Sequence, residues 1–140
     1  MKVSIIIPVR NEELAIKNII DQLENQLKNL PCEIIFVNDF STDNTDKTIK
    51  EKIQTKDQFN LYENKKKGLG GAISEGINKA SGEAVCIMMA DLSDDINDFM
   101  KYYEIIKNEE VDAVFGSRFI KNSKVVDYPK KKLILNRIFN

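Results

Sequence analysis

Val85-Cys86-Ile87-Met88-Met89-Ala90-Asp91-Leu92-Ser93-Asp94-Asp95 is an apolar run of strand length that stops abruptly in carboxylates and a hydroxyl. Carboxylates at the edge of a core cost free energy unless something pairs with them, and a cation or a phosphorylated ligand would be such a partner. For Asp94 and Asp95 an ordinary task competes with chemistry, namely capping a helix that starts at Ile96, and capping is the preferred reading. Asp91, still on the strand side of the turn, is read as functional.

Outward from that stretch the chain alternates between strand and helix patterns. Upstream, Lys2 to Val9 is a β-branched run closed by Pro8 and a polar turn, read as a parallel strand buried on both faces. Asn11 is placed to cap the next helix, with Glu12 and Glu13 in its positively polarised first turn. Ile16, Ile19, Ile20, Leu23, Leu27 and Leu30 form its apolar stripe, and Pro31 ends it. Glu33 to Val37 repeats the strand pattern, and the turn from Asn38 to Asp43 leads to a short helix ending near Thr55, with Ile49 and Ile53 inward. Phe59 to Glu63 reads as a more polar edge strand. Leu69, Ala72, Ile73, Ile77 and Ala80 mark one side of a third helix, stopped by Ser81-Gly82.

Downstream, Ile96, Phe99, Met100, Tyr103 and Ile106 show helical spacing over Ile96 to Asn108. Asp112 to Phe115 is predicted to be a fifth strand and Gly116-Ser117-Arg118 an irregular stretch. A last helix is expected from Lys130, with Ile134, Leu135 and Ile138 opposite Lys131 and Arg137. This alternation predicts an α/β domain with a mainly parallel sheet. Ligands of open sheets bind beyond the carboxyl ends of the strands, where strand order reverses. The polar clusters fall at those ends: Pro8 to Glu12, Asn38 to Asp43, Lys65 to Gly68, Asp91 to Asp94, and Ser117-Arg118.

Composition narrows the function. The 140 residues are 42% hydrophobic and 31% charged, the balance of a soluble globular chain. With 21 basic and 22 acidic residues the net charge is -1, which argues against a nucleic-acid partner. There is no histidine, so histidine bases, triads and metal sites are excluded. Cys32 and Cys86 lack metal-ligand spacing and read as reduced thiols in strands. The dinucleotide fingerprint is absent after the first strand, and Gly68, Gly70 and Gly71 follow the third strand with the wrong spacing. Those glycines are read as serving a tight turn and close helix packing, with phosphate contact at the helix N-terminus as the alternative.

SIIIPVRNEE, EIIFVNDFSTDNT, KGLGGAISEGINKASGE, MMADLSDD and GSRF, in that order and spacing, resemble family 2 glycosyltransferases, above all the dolichyl- or polyprenyl-phosphate mannosyltransferase group. The likeness runs from Lys2 almost to Asn140. It implies a three-layer α/β/α GT-A (Rossmann-like) nucleotide-diphospho-sugar transferase fold. A single catalytic domain, residues 1–140, is expected, cut short on its C-terminal side because the chain stops inside the last helix.

Position by position, the resemblance implies that Pro8, Arg10 and Glu12 line the nucleotide pocket, Arg10 standing where an aromatic is common. Ala90 belongs to the same pocket. Asp39 matches the carboxylate that reads the base; its structural alternative is to cap the amides of Thr42 or Asp43. Asp91 matches the last Asp of the D-x-D metal motif, and Ser93 sits where a further oxygen ligand occurs. Arg118 matches a basic residue of the phosphate or acceptor pocket, and Lys132 and Arg137 lie where further phosphate contacts occur. Two departures stand out. Asn38 replaces the first carboxylate of an Asp-Asp pair, and Met89 replaces the first Asp of D-x-D. A thioether is a poor ligand for Mg²⁺ or Mn²⁺, so the implied divalent metal would be held more weakly, by Asp91, the donor's diphosphate and water.

The implied activity is transfer of a sugar, with inversion, from a nucleotide-diphosphate sugar donor. A hydroxyl acceptor needs a general base, and none is evident after Asp95: Glu109, Glu110 and Asp112 are placed away from the rim, and Asp127 is remote. A polyprenyl phosphate is already anionic and is therefore favoured over a saccharide hydroxyl as acceptor. A cytoplasmic location is expected; Lys130-Lys131-Lys132 followed by LILNRIF offers contact with the cytoplasmic face of a membrane as an alternative to a plain solvated face. The competing functions are a catalytically silent nucleotide-sugar binding module and, less favoured, a sugar-phosphate nucleotidyltransferase.

Overall fold

β1 (Val3–Val9) is buried at every position, as a β-branched run enclosed on both faces requires. A computed structural model describes residues 1–91 and 94–116. In it β1 lies between β2 (Cys32–Asn38) and β4 (Ala84–Ile87), and β2 carries β3 (Phe59–Glu63) on its far side. All pairings are parallel and the order is β3-β2-β1-β4. Ile5, Ile6, Ile7, Ile34, Ile35 and Phe36 are fully buried, and at about 1.5–3 kcal/mol per large apolar side chain they dominate the stability of the sheet.

α1 (Glu13–Leu27) buries the predicted stripe Ile16, Ile19, Ile20, Leu23 and Leu27 and packs beside α2 (Thr45–Ile53), whose Ile49 is buried. α3 (Leu69–Lys79) lies over β1 and β2. Its buried positions are Ala72, Glu75 and Gly76, not the full stripe expected from periodicity. Leu69 and Ile77 are about half exposed, at 50% and 48%. The helix sits so close to the sheet, with a Cβ at position 76 falling 2.4 Å from Ile6 Cγ2, that small residues rather than large ones form the contact. Gly71 serves a second close approach, since a Cβ there would lie 1.7 Å from the Lys66 carbonyl oxygen.

Two strand expectations need correction. The apolar run from Val85 to Met89 is not strand throughout: β4 spans Ala84–Ile87, with Val85 and Ile87 44% and 47% exposed. Among the described residues β4 pairs only with β1, and α3 lies over β1 and β2, leaving the side chains level with Ser4 and Ile6 open. Asp112 to Phe115 is not a strand: it has no regular structure, and Phe115 is 89% exposed. β propensity alone cannot hold an extended segment that has no ladder partner, and none pairs with it among the described residues.

α4 (Ile96–Asn108) matches its predicted bounds, with Ile96, Phe99 and Tyr103 buried. By internal contacts the chain divides into Met1–Phe99 and Met100–Asn140, and the sheet, α1 to α3 and the cleft described below belong to the first unit. The expected helix from Lys130 lies outside the described residues. Among the described residues no helix is long and apolar enough to cross a membrane.

Candidate functional site

The chain leaves β1 through Arg10 and Asn11, and Asn11 adopts a left-handed backbone (φ 57°). It does not cap α1, as its position suggested; its Oδ1 accepts a hydrogen bond from the Thr42 amide at 2.8 Å. The start of α1 is capped from the neighbouring loop instead. The Glu12 amide donates to Thr45 Oγ1 (2.8 Å) and the Glu13 amide to Asp43 Oδ2 (3.2 Å). In return the Asn44 amide and Nδ2 donate to the Glu13 carboxylate at 3.2 and 2.9 Å. Two helix N-termini therefore satisfy each other's orphan donors, and this reciprocal capping fixes Glu12 at the mouth of β1.

Asp39 follows β2 directly. It is 5% exposed, and Oδ1 accepts hydrogen bonds from Asn64 Nδ2 (2.7 Å) and the Gly68 amide (2.8 Å). It is therefore not the cap of the Thr42 and Asp43 amides. It ties the β2 end to the loop that opens α3, and it occupies the Gly68 amide that the alternative reading reserved for a phosphate. Oδ2 lies on the other side, with Arg10 Nη1 4.0 Å away, beyond hydrogen-bond reach.

Beyond β4 the chain turns through Met89, Ala90 and Asp91. Asp94 Oδ2 accepts from the Met89 amide at 2.8 Å, closing that turn. Asp95 Oδ1 accepts from the Asn97 amide at 2.8 Å, the capping role expected for one of this pair.

These three segments and the start of α3 enclose a cleft of ≈ 300 Å³ lined by Pro8, Val9, Arg10, Glu12, Asp39, Gly68, Leu69, Met89, Ala90 and Asp91. It opens at the carboxyl ends of β1 and β4, where strand order reverses: β1 leads outward to β2 and β3, and the chain then returns to β4 on the other side. Six residues singled out from the sequence, Pro8, Arg10, Glu12, Asp39, Ala90 and Asp91, line this one cleft. Ser93, Arg118 and Lys132 lie outside the described residues. Burial, and then the negative charges of Asp91 and Asp43, push the Glu12 carboxyl above the usual carboxylate range. Glu12 and Asp91 thus repel each other across the cleft, an arrangement a bound cation would relieve.

Sequence reasoning missed the partners that hold Asp39. Asn64 drew no reading at all, Gly68 read as serving a tight turn, and Glu63 as the end of an edge strand. The signal lay in strand register: Asn38 pairs with Glu63, which brings Asn38-Asp39 beside Glu63-Asn64. That register cannot be read from either segment alone.

The family model described as Glycosyl transferase family 2 matches residues 4–140. The dolichol-phosphate mannosyltransferase of Pyrococcus furiosus is 34% identical over 137 residues, covering 98% of this chain and 39% of that protein. The chain thus spans about two fifths of the length of this curated relative. A solved mannosyltransferase, PcManGT from Pyrobaculum calidifontis in complex with GDP-Man and Mn2+, superposes with a TM-score of 0.58 at 28% identity over 64% of this chain and 27% of that one. S. aureus TarS residues 1–349 superpose with a TM-score of 0.65 at 23% identity, covering 86% of this chain and 40% of that one, a likeness of GT-A fold.

Proposed function

Since the chain belongs to glycosyl transferase family 2, we propose that it binds a nucleotide-diphosphate sugar in the cleft between β1 and β4 and transfers the sugar, with inversion, to a polyprenyl phosphate. The observation that carries this reading is the pairing of a tethered, buried Asp39 with Asp91 in the walls of one cleft.

Asp39 Oδ2 accepts a hydrogen bond from a ring N–H or amino group of the base, while Oδ1 stays engaged with Asn64 and Gly68. Arg10, half-exposed at the cleft, offers a planar guanidinium for the base or ribose, in place of an aromatic platform. Pro8, Val9 and Ala90 close the walls. The donor set suits a weakly held, ligand-assisted cation: Asp91 is a hard oxygen ligand, Glu12 adds charge nearby, and the Met89 thioether contributes nothing to Mg²⁺ or Mn²⁺. Ser93 would add an oxygen. Such a cation, with Arg118 and Lys132, would offset the charge that builds on the departing nucleoside diphosphate. A lipid phosphate is an anion at neutral pH and attacks without a general base, which favours it over a saccharide hydroxyl. The similarity to the dolichol-phosphate mannosyltransferase of Pyrococcus furiosus supports the same acceptor class.

A thermal-shift panel of GDP and UDP with and without Mn²⁺ tests the donor, since a ligand specific to the folded state stabilises it by about 2.7 kcal/mol at a hundred times its Kd. One nucleotide should raise Tm, and Asp91→Ala should remove the Mn²⁺-dependent part. Turnover with polyprenyl phosphate then tests the acceptor. Binding without turnover on any acceptor would leave the silent nucleotide-sugar binding module, and transfer to a saccharide hydroxyl alone would overturn the lipid acceptor.

A further inference from the structure

Asn38 is buried at the end of β2, and each end of its side-chain amide has a partner. Its Nδ2 donates to Glu63 Oε2 at 3.0 Å, and its Oδ1 accepts from the Ser41 amide at 3.1 Å. One residue further along both strands the pattern is mirrored, with Asn64 Nδ2 donating to Asp39 Oδ1 at 2.7 Å. The last step of the β2–β3 register and the position just beyond it thus each hold one amide and one carboxylate, with the order exchanged. Between the steps, Phe40 takes a left-handed backbone (φ 56°), unfavourable for a bulky residue. The Asn38–Ser41 hydrogen bond closes the loop around it.

We propose that Asn38 and Glu63 form a charge-matched clamp that positions Asp39, so that asparagine at 38 is dictated by Glu63 and is not a lost acidic ligand. The inference rests on the nucleotide reading of the cleft. Glu63 already lies among acidic groups: burial first, then Asp46, push its carboxyl up, with Asn38 and Lys50 acting against them. Asp46 Oδ1 is itself buried without a hydrogen-bond partner, and Lys50 Nζ holds its other oxygen at 2.6 Å. A carboxylate at 38 would face Glu63 at hydrogen-bonding distance with no donor between them. The clamp would open, and the Asp39 turn would lose its brace. Asn38 acts through Asp39, so it is a positioning residue.

The test is a double-mutant cycle read by nucleotide Kd in calorimetry, using GDP and UDP, with urea stability measured alongside. Asn38→Asp should weaken binding about tenfold, the usual scale of coupling between touching polar groups. Glu63→Gln alone should bind like the parent, because the carbonyl oxygen of the introduced amide still accepts from Asn38. N38D/E63Q should restore parental affinity, the amide and the carboxylate having exchanged places. If N38D does not fold, the double variant carries the test by itself: parental Kd supports the clamp and weakened binding overturns it. Parental affinity in N38D, or equal weakness of N38D and the double variant, overturns the clamp. A parent that binds neither nucleotide overturns the functional reading and with it the positioning role, while the urea cycle still reports whether 38 and 63 are coupled.

Discussion

Replacing Asp39 by Asn and by Ala should separate its two oxygens into two tasks. Oδ1 accepts two hydrogen bonds, from Asn64 Nδ2 at 2.7 Å and the Gly68 amide at 2.8 Å, in a side chain only 7% exposed. Hydrogen bonds to a charged group contribute about 1.5–3 kcal/mol each and neutral ones about 1. Asp39→Asn keeps an acceptor toward both donors, so its stability cost is about 1–3 kcal/mol. Asp39→Ala strands the Gly68 amide; Asn64 Nδ2 retains the Lys66 carbonyl at 2.7 Å, and the expected cost is about 3–5 kcal/mol. Nucleotide affinity should respond differently. Asp39→Asn puts N–H groups where Oδ2 would face the base under the proposed function, and losing an acceptor worth about 1.5–3 kcal/mol should weaken binding about 10- to 150-fold. Urea unfolding measures the first quantity and calorimetry with GDP and UDP the second. Parental nucleotide affinity in Asp39→Asn would refute the base-reading role, and parental stability in Asp39→Ala would refute the tether.

Gly76→Ala should lower stability by about 1–3 kcal/mol in urea unfolding, the cost of overpacking a core contact, because the new methyl meets buried Ile6 Cγ2 at 2.4 Å; an unchanged midpoint would contradict the close α3–sheet contact. For Glu33, burial by itself raises the carboxyl, but hydrogen bonds from the Ser4 hydroxyl and from the Ser81 amide and hydroxyl, with Lys2, outweigh it and hold it below the usual value of 4.5. The unfolded chain therefore binds the proton more readily, and stability should fall as pH drops between about pH 5 and pH 3; Glu33→Gln should flatten that acid limb and cost about 1–3 kcal/mol at neutral pH. Burial, and secondarily Asp94, push Cys86 up to about 11, so at pH 8 its thiolate fraction is about one in a thousand, against about a quarter for an ordinary thiol. Iodoacetamide labelling followed by peptide mass mapping should find Cys86 about 250 times slower than a free thiol, in proportion to thiolate fraction, and stability should decline as pH rises from 9.0 through 11.

Much of this organisation was legible in the residues themselves. The runs Lys2 to Val9 and Glu33 to Val37 read as strands and lie within β1 and β2 with a residue or so of difference at their ends, and the spacing from Ile16 to Leu30 read as an amphipathic helix. Asp91, at the end of an apolar run, was singled out from the residues alone and lines the cleft. The reading failed where an element depended on a neighbour. Val85, Ile87 and Asp112–Phe115 carry strand-forming residues, but burial and pairing depend on what lies beside them. Leu69 and Ile77 fit a helical stripe, yet the close approach at Gly76 gave the contact to smaller residues. Asn11 sat at the right offset for a cap and was drawn instead to Thr42.

Periodicity by itself determined the α/β class and the parallel sheet, because these follow from local pattern, and the count alone shows that these 140 residues hold no histidine. The three-dimensional arrangement alone decided that Asp39 is anchored by Asn64 and Gly68, that Asn38 answers Glu63, and that Glu12 and Asp91 share a cleft. Those relations join residues some 25 to 80 positions apart in the chain. Their physical cause is the parallel register of the strands and the reversal of strand order between β1 and β4, which no local stretch encodes.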